Sequence, residues 1–439
     1  MSLRRATTLP IVIAVAALIA GCNTDSTAGS VPPTTAADVA AAPANPPPTT
    51  PIATTATVTD AAAETTVPPM SPTTGPAGTS EPTAEAASST APAPTVSIAR
   101  EYDFTSIDPV VAAFVDEQGL DGAGLIVVHR DDGVIYHEHW GEFDDDRVSF
   151  VASSSKMIAA GVLLALDDRG LLDIDASIAD AVEWGSAQPA ITPAQLVSNS
   201  SGLVGLIRDL VYATHRCQFE SAGTLQACAE SIFTSDLDDR AVVPPDTEFR
   251  YGGGQWQVAG AVAEAVSGMT WKELIDEVYV EPCGLDALGF NNHFGQTIGL
   301  LNPDGLDPLS LPPTNNPNIE GGAYVTTGDY GKLLLMLLRD GRCDDEPVLS
   351  PEAIEYMLAD RVAAAYGGDA DRPELGYGLG WWVDRSTGRR TDPGAYGSVA
   401  WLDADRDYGG FFLIEANQPV ADRVMPELYA LIDEAVGAP

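Results

Sequence analysis

The sequence predicts an α/β (α+β) domain in which one antiparallel sheet is flanked by helices and an all-helical subdomain is inserted between its strands. Two observations lead to this prediction. Strand-like apolar segments occur early in the folded part and again near its end, whereas the middle carries apolar residues at three- and four-residue spacing. Strands from both ends can therefore form one sheet, with the helical stretch lying between them in sequence.

The folded domain is expected to span residues 99–439, where no second linker interrupts the composition. It begins with a helix, DPVVAAFVDEQ, and two strands, AGLIVVHR and GVIYHEHWG, joined by an Asp-Asp-Gly turn at 131–133. The predicted central helices are KMIAAGVLLALDDRG, TPAQLVSN, QVAGAVAEAVSG, TWKELIDEVYV and DYGKLLLMLLRDG. The late strands are YGLGWWVDR, SVAWLDAD and YGGFFLIEAN, and the closing helix is PELYALIDEAV.

The first 21 residues have the form of an export signal. Arg4 and Arg5 precede a short apolar run, and small residues stand before Cys22. This stretch resembles a bacterial lipoprotein signal, which implies that cleavage leaves Cys22 as the first residue with a diacylglyceryl group on its sulfur. The lipid would hold the protein at the outer face of the cell membrane. Ordinary secretion with a chance cysteine is the alternative.

Residues 22–98 consist mostly of Ala, Thr, Pro and Ser, and contain no Lys or Arg. Such a segment buries too little apolar area to offset its ordering entropy, so it is predicted to be a disordered tether. A coil of this length reaches on the order of 50 Å on average. It would lift the folded domain away from a membrane surface.

The charge balance excludes two classes of partner. The chain has 22 Lys and Arg against 63 Asp and Glu, a formal net charge of -41. This charge repels phosphate backbones and anionic lipid headgroups, so neither nucleic acid nor adsorption to a membrane surface is predicted. Membrane contact is expected through the lipid on Cys22 alone.

Four cysteines remain in the folded part, an even number that suggests two disulfides in an exported protein. Three pairings are possible, and we favour Cys217 with Cys228 and Cys283 with Cys343. Metal binding by the four is the weaker interpretation because no CxxC pair is present.

No metal and no cofactor are predicted. His137 and His139 stand two apart on a predicted strand, hence on one face. They could bind an ion, but no carboxylate is placed by motif to complete a site, so a plain strand face is the favoured interpretation.

A candidate nucleophile lies in SFVASSSKMIAAG, residues 149–161, which contains one of only three lysines. On a helix, Ser153 and Lys156 share a face, whereas Ser154 and Ser155 point elsewhere. Burial beside apolar neighbours is expected to lower the pKa of Lys156 and make it a base for the Ser153 hydroxyl. A capping serine with a solvated lysine is the alternative.

Segments on both sides of this serine and lysine resemble segments of a known protein family, and the resemblance covers most of residues 105–435. ITPAQLVSNSSGL, PPDTEFRYGGGQWQVAGAVAEAVSGMTWKEL, GGAYVTTGDYGKLL, GYGLGWW and PGAYGSVAWLDADRD all have family-like forms. Together with SxxK, they resemble the serine beta-lactamase and penicillin-binding protein superfamily, especially its class C and esterase-like branch. The resemblance implies a beta-lactamase/transpeptidase-like fold, with the active site between the sheet and the helical subdomain.

The resemblance also implies roles for particular residues. Ser153 would be the nucleophile, Lys156 its proton partner and Tyr251 the general base. Backbone N–H groups of Ser153 and Ser398 would form the oxyanion hole. The residues implied to contact substrate are Gly253, Tyr396, Gly397 and Trp381, with Trp381 and Trp382 expected to alternate across a strand.

Two departures from the family pattern bear on the substrate. The second motif is Tyr251-Gly252-Gly253, without the Asn of relatives, and the third is Ala395-Tyr396-Gly397, without the usual Lys or His. The prediction is therefore a cofactor-free serine hydrolase that acts on a small ester or amide, or on a cell-wall peptide, rather than an efficient beta-lactamase. The alternative is a member that binds a peptidoglycan or peptide ligand without turnover.

Overall fold

The computed structural model describes residues 100–206, 213–235, 242–296, 305–362 and 374–437. The predicted signal peptide (1–21), the predicted tether (22–98) and Cys22 lie outside the described residues. Within these ranges, no helix combines the length and the apolar character needed to cross a membrane.

A seven-stranded sheet forms the centre of the domain. Its strand order is β2-β1-β12-β11-β10-β9-β8, and every neighbouring pair is antiparallel. The strands are β1 (Gly122–His129), β2 (Gly133–Gly141), β8 (Leu375–Tyr377), β9 (Trp382–Asp384), β10 (Arg390–Pro393), β11 (Val399–Asp403) and β12 (Tyr408–Leu413). The first strand pairs with the last, Leu125 opposite Phe412, so the prediction that strands from both ends form one sheet is confirmed.

Helices cover both faces of the sheet, and every residue of β1 and β12 is therefore buried. Leu125 and Val127 face one apolar cluster, together with α1 (Ile107–Gln118) and α10 (Gln418–Val436). Ile126 and Val128 alternate to the other face and pack with α8 (Thr327–Leu338). This two-sided burial explains the near-continuous apolar run in AGLIVVHR.

The helical subdomain lies between β3 (Ser149–Phe150) and β5 (Ala323–Val325), as the spacing predicted. Its helices are α2 (Lys156–Asp168), α3 (Pro193–Val197), α4 (Leu225–Phe233), α5 (Gln255–Ser267), α6 (Trp271–Ile275) and α7 (Glu281–Cys283). The helix α2 is buried from Lys156 to Leu166, so it forms the centre of the larger apolar cluster. Smaller elements complete the domain: β4 (Gly289–Phe290), β6 (Arg342–Cys343), β7 (Glu346–Pro347) and α9 (Pro351–Leu358).

Two predicted elements differ from the structure. The segment YGLGWWVDR is a hairpin rather than one strand, because Gly378 N–H donates to Trp381 O and turns the chain between β8 and β9. The closing helix begins at Gln418, eight residues before Pro426, which lies inside it. Packing of Ala421, Val424 and Met425 against the sheet holds the first turns helical despite the proline.

Both favoured disulfide pairings are present. Cys217–Cys228 connects a 3-10 turn (Ala213–Phe219) to α4, with 11 residues of sequence separation. Cys283–Cys343 connects the end of α7 to β6 across 60 residues.

Candidate active site

Ser153 lies in a 3-10 turn, Ala152–Ser155, that runs directly into α2. The preceding Ala152 has a left-handed backbone (φ 44°), a conformation that costs a non-glycine residue on the order of 1 kcal/mol and is concentrated at functional sites. Ser154 Oγ donates to Asp392 O at 2.5 Å, and Ser155 Oγ donates to Ala152 O at 2.5 Å. Because Ser154 and Ser155 hold the turn, Ser153 is the serine whose hydroxyl faces Lys156.

Lys156 is buried at the first position of α2 and lies beside Ser153. Its Nζ donates to Ser153 Oγ at 3.1 Å and to Glu320 O at 3.0 Å. It also lies 4.8 Å from the centre of the Tyr251 ring. The i, i+3 spacing of SxxK therefore places the amine against the hydroxyl, as the sequence indicated.

Tyr251 completes a group of three side chains that are distant in sequence. Its hydroxyl interacts with the side chains of both Ser153 and Lys156. The ring stacks on Trp382 at 5.2 Å and meets Tyr377 edge-on at 6.0 Å. The hydroxyl, amine and phenol named by the sequence thus meet at one place.

Asn199 holds the loop that carries Tyr251. It has a left-handed backbone (φ 60°) and follows α3, in the SNSSGL stretch. Its Oδ1 accepts from Gly252 N–H at 2.9 Å and from Trp256 Nε1 at 2.9 Å. This amide fixes the start of α5 relative to the end of α3, a role that the sequence did not identify.

Glu320 is a site residue that the sequence analysis missed. Its carboxylate Oε2 lies 3.5 Å from Lys156 Nζ and accepts from Gly253 N–H at 2.9 Å. A Cβ at Gly252 would lie 2.6 Å from the same oxygen, so the glycines of the YGG triplet leave room for the acid. The triplet lacks the Asn side chain of relatives, and a carboxylate from another segment occupies the space beside it.

Asp392 places a second carboxyl group beneath the site, at the end of β10. It is fully buried, and its Oδ2 accepts from Met157 N–H at 3.2 Å in the first turn of α2. Burial raises its pKa well above the ordinary range, and the opposing effect of Lys156 is smaller.

These neighbours determine the protonation of the pair. Burial lowers the pKa of Lys156, but attraction to Tyr251, Glu320 and Asp392 outweighs burial and leaves that pKa above its ordinary value. Burial also raises the pKa of Tyr251 more than Lys156 lowers it. The expectation of a depressed lysine pKa is wrong, because the lysine has acidic neighbours as well as apolar ones.

The third-motif region differs from its prediction. Tyr396 is buried, and its hydroxyl hydrogen-bonds His293 Nε2 at 2.6 Å. Gly397 (φ 87°) turns the loop against Ile414. Ser398 is fully buried, and its Oγ donates to Val151 O at 2.8 Å. Its backbone N–H, the group expected in the oxyanion hole, has no acceptor among the described residues.

The loop between β10 and β11 lies against the turn of Ser153 at both of its ends. Gly394 follows β10 directly, and a Cβ there would lie 2.1 Å from Val151 O, the oxygen to which Ser398 Oγ donates. Ala395 is partly exposed and packs against the small apolar cluster that contains Ala152. Among the described residues, the Ala395 N–H has no acceptor.

The remaining predicted substrate contacts are buried as well. Trp381 is fully buried in the main apolar cluster, and Gly253 is buried beneath Glu320. The strand β9 begins only at Trp382, so the expected alternation of the two tryptophans does not apply. The partly exposed Trp382, stacked on Tyr251, is the tryptophan at the site.

Comparison with known proteins gives concordant matches. The profile of the Beta-lactamase family matches residues 107–434. Penicillin-binding protein 4 of Amycolatopsis lactamdurans is 25% identical over 351 residues, which cover 74% of this chain and 85% of that protein. A candidate beta-lactamase from Bacteroides dorei, of known structure, is 27% identical with a TM-score of 0.60, covering 76% of this chain and 99% of that one. The hydrolase EstCE1, which has promiscuous acyltransferase activity, shares the fold at 19% identity and a TM-score of 0.60, covering 76% and 97%.

Proposed function

The chain belongs to the beta-lactamase family, and on that premise we propose that it is a cell-envelope serine hydrolase that forms an acyl-enzyme on Ser153. The observation that carries the proposal is the 3.1 Å contact between Ser153 Oγ and Lys156 Nζ, with the Tyr251 hydroxyl against both. A serine hydroxyl needs an adjacent proton acceptor to become a nucleophile. Lys156 and Tyr251 are the groups placed to accept and return that proton.

The reaction proceeds in two balanced steps. Ser153 Oγ attacks the carbonyl carbon while its proton passes to the Lys156–Tyr251 pair, and the leaving alcohol or amine takes that proton as its bond to carbon breaks. Water then attacks the acyl-enzyme, gives one proton to the same pair, and releases the carboxylic acid as Ser153 regains a proton. The reactive form of the pair is the one that has lost a proton, in which either the lysine is neutral or the tyrosine is ionised.

The oxyanion of the tetrahedral intermediate needs two donors close to Ser153. We assign these to the backbone N–H groups of Ser153 and Ser398. Ser398 Oγ bonds Val151 O, two residues before Ser153, and no described residue accepts from the Ser398 N–H.

The charges at the site favour a substrate without a carboxylate. The ammonium of Lys156 already has the Glu320 carboxylate at 3.5 Å, so it offers little net attraction to an anionic substrate. The third-motif loop carries no Lys or His that could replace it. A neutral ester is therefore the proposed substrate class, in preference to a beta-lactam or a peptide with a free C-terminal carboxylate.

A second candidate function follows from the same pair. If the charged Lys156 and the neutral Tyr251 persist when a ligand is bound, the site binds an acyl ligand such as a peptidoglycan peptide without turning it over. The 3.5 Å ion pair with Glu320 is the observation that favours this alternative.

One experiment separates the two functions. The purified chain is incubated with a short-chain nitrophenyl ester and, separately, with a fluorescent penicillin, and intact mass reports any acyl group on Ser153. Ester turnover with an acyl adduct that Ser153→Ala abolishes supports the hydrolase. Turnover that survives this substitution contradicts it, and reversible binding without adduct or turnover supports the binding function.

The envelope location is a separate part of the proposal. It rests on the signal-like first 21 residues, on Cys22 and on the two disulfides of the folded domain, since disulfides persist in exported proteins. Metabolic labelling with a radioactive fatty acid should mark the wild-type chain in a bacterial host and leave Cys22→Ser unlabelled. Equal labelling of both chains would contradict the lipid anchor.

A further inference from the structure

Two histidines and an aspartate meet at the edge of the central sheet, outside the Ser153 site. His137 and His139 lie on the edge strand β2 and share a face, and Asp145 lies in the loop between β2 and β3. Asp145 Oδ1 is 3.9 Å from Nδ1 of His137 and 3.6 Å from Nδ1 of His139. We propose that these three side chains bind one divalent transition-metal ion, with Zn²⁺ as the probe of choice.

The spacing of the three groups is close to what an ion requires. One ligand atom from each residue lies within 4.8 Å of the other two. Ligands about 2.0–2.2 Å from a tetrahedral Zn²⁺ are roughly 3.3–3.6 Å apart, so a small contraction completes the site. The Asp145 side chain is 83% exposed and is free to make that adjustment, and water would fill the open position.

Burial of the rings provides a second, independent observation. The side chains of His137 and His139 are 25% and 13% exposed. The Nε2 atom of each is buried and has no hydrogen-bond partner among the described residues. Buried polar atoms are normally satisfied, and an imidazole nitrogen is satisfied when it donates its lone pair to a metal ion. The ion would take Nδ1 in the present ring orientation, or Nε2 if the ring is turned over.

The local charge agrees with metal binding. The loop that carries Asp145 also carries Glu142, Asp144 and Asp146, all of them exposed, so its charge is negative. The positive residue of the loop, Arg147, is directed to Glu415.

The donor set selects the class of ion. Two imidazoles with one carboxylate suit Zn²⁺, Ni²⁺, Co²⁺ and Cu²⁺, whereas Mg²⁺ and Ca²⁺ prefer oxygen ligands. A bound ion would tie the 142–148 loop to the sheet edge just before β3 and the turn of Ser153. It would also raise the unfolding temperature, because only the folded chain brings the three ligands together.

The test is a Zn²⁺ titration of the purified chain, without an affinity tag, by calorimetry and by thermal unfolding. The expected result is one Zn²⁺ per chain, a raised unfolding temperature, and a visible absorption band when Co²⁺ replaces Zn²⁺. His137→Ala and Asp145→Asn should each weaken binding at least about tenfold, since losing even an outer-shell partner typically costs that much. Asp146→Asn, a neighbouring exposed acid outside the proposed ligand set, is the matched control and should bind like wild type.

Three results would overturn the proposal: no heat and no thermal shift with excess Zn²⁺, unchanged affinity in His137→Ala, or equal losses in Asp145→Asn and Asp146→Asn. The last outcome would mean general attraction to an acidic loop. Because Asp145 is exposed, its variant keeps the fold, and circular dichroism verifies this. None of these readouts depends on Ser153 being catalytic.

Discussion

The carboxylate of Glu320 lies 3.5 Å from the ammonium of Lys156, and Gly253 N–H donates to the same carboxylate oxygen. This contact connects a segment after the helical subdomain to the SxxK turn and to the YGG triplet. The lysine that faces Ser153 is therefore paired before any substrate arrives. On the proposed function, we expect this pairing to influence both the pH dependence of the reaction and the charge of the preferred substrate.

The serine turn offers a matched pair of substitutions. Ser153→Ala should reduce ester turnover on the order of 10³-fold or more, because it removes the nucleophile itself. Ser154→Ala should keep the acyl adduct but lower the free energy of unfolding by about 1–2 kcal/mol, since Ser154 Oγ bonds Asp392 O and Ser398 Oγ. Intact-mass analysis and urea unfolding measure the two effects. Adduct formation in Ser153→Ala would contradict the assignment.

Glu320→Gln should move the activity profile to lower pH. The reactive form of the Lys156–Tyr251 pair has lost a proton, and both pKa values are raised, so wild-type activity should increase as pH rises above neutrality. Removing the charge of Glu320 lowers the pKa of Lys156 and should move the profile by on the order of one pH unit. The measurement is kcat/KM across the range from neutral to alkaline pH.

The control for this profile is Glu277→Gln, which removes an exposed carboxylate paired with Arg169 on the surface. Its profile should match wild type. A displacement toward higher pH in Glu320→Gln would mean that the carboxylate assists proton removal instead of opposing it.

The two adjacent tryptophans should respond differently to truncation. Trp382→Ala removes the ring stacked on Tyr251 and should lower kcat/KM about tenfold through misplacement of the phenol. Trp381→Ala empties a fully buried core position and should cost about 3–5 kcal/mol of stability. Kinetics and chemical unfolding of both variants check this. If Trp382→Ala lost more stability than Trp381→Ala, the assignment of Trp381 to the core and Trp382 to the site would be wrong.

Burial of Asp392 should make the free energy of unfolding depend on pH. Its folded pKa is raised by burial, so its contribution is fully present below the unfolded pKa of about 3.9 and is lost as pH rises toward the folded pKa. The loss amounts to about 1.4 kcal/mol for each pH unit climbed between those two pKa values. Asp392→Asn cannot ionise and should therefore gain stability relative to wild type as the pH is raised from about 5 to about 8. Urea unfolding at both ends of this range measures the gain, and a relative loss at the alkaline end would show that the group is ionised in the folded state.

The two disulfides should contribute different amounts to the free energy of unfolding. Chain-entropy reasoning gives about 4 kcal/mol for the 60-residue separation of Cys283–Cys343 and about 3 kcal/mol for the 11-residue separation of Cys217–Cys228. Double Cys→Ser variants of each pair, compared by urea unfolding, test the order. A reversed order would mean that native packing near α4 matters more than loop closure.

Much of the fold was predictable because it depends on local patterns. Apolar periodicity located α1, α2, α5 and α8, and the early and late strands, since burial of one face or both leaves a direct record in sequence. The hairpin at Gly378–Trp381 and the start of the last helix were missed. Both depend on packing partners supplied by remote segments.

For the candidate site, the sequence by itself determined the Ser153–Lys156 spacing, because residues three apart share one face within a helical turn, and the family resemblance singled out Tyr251. Only the tertiary structure decided the charges around them. Glu320 and Asp392 reach the lysine and its helix from segments 164 and 235 residues away, as Asp145 reaches two histidines across a loop. Electrostatic energy depends on distance in space, and a linear pattern does not record which distant carboxylates the fold brings near.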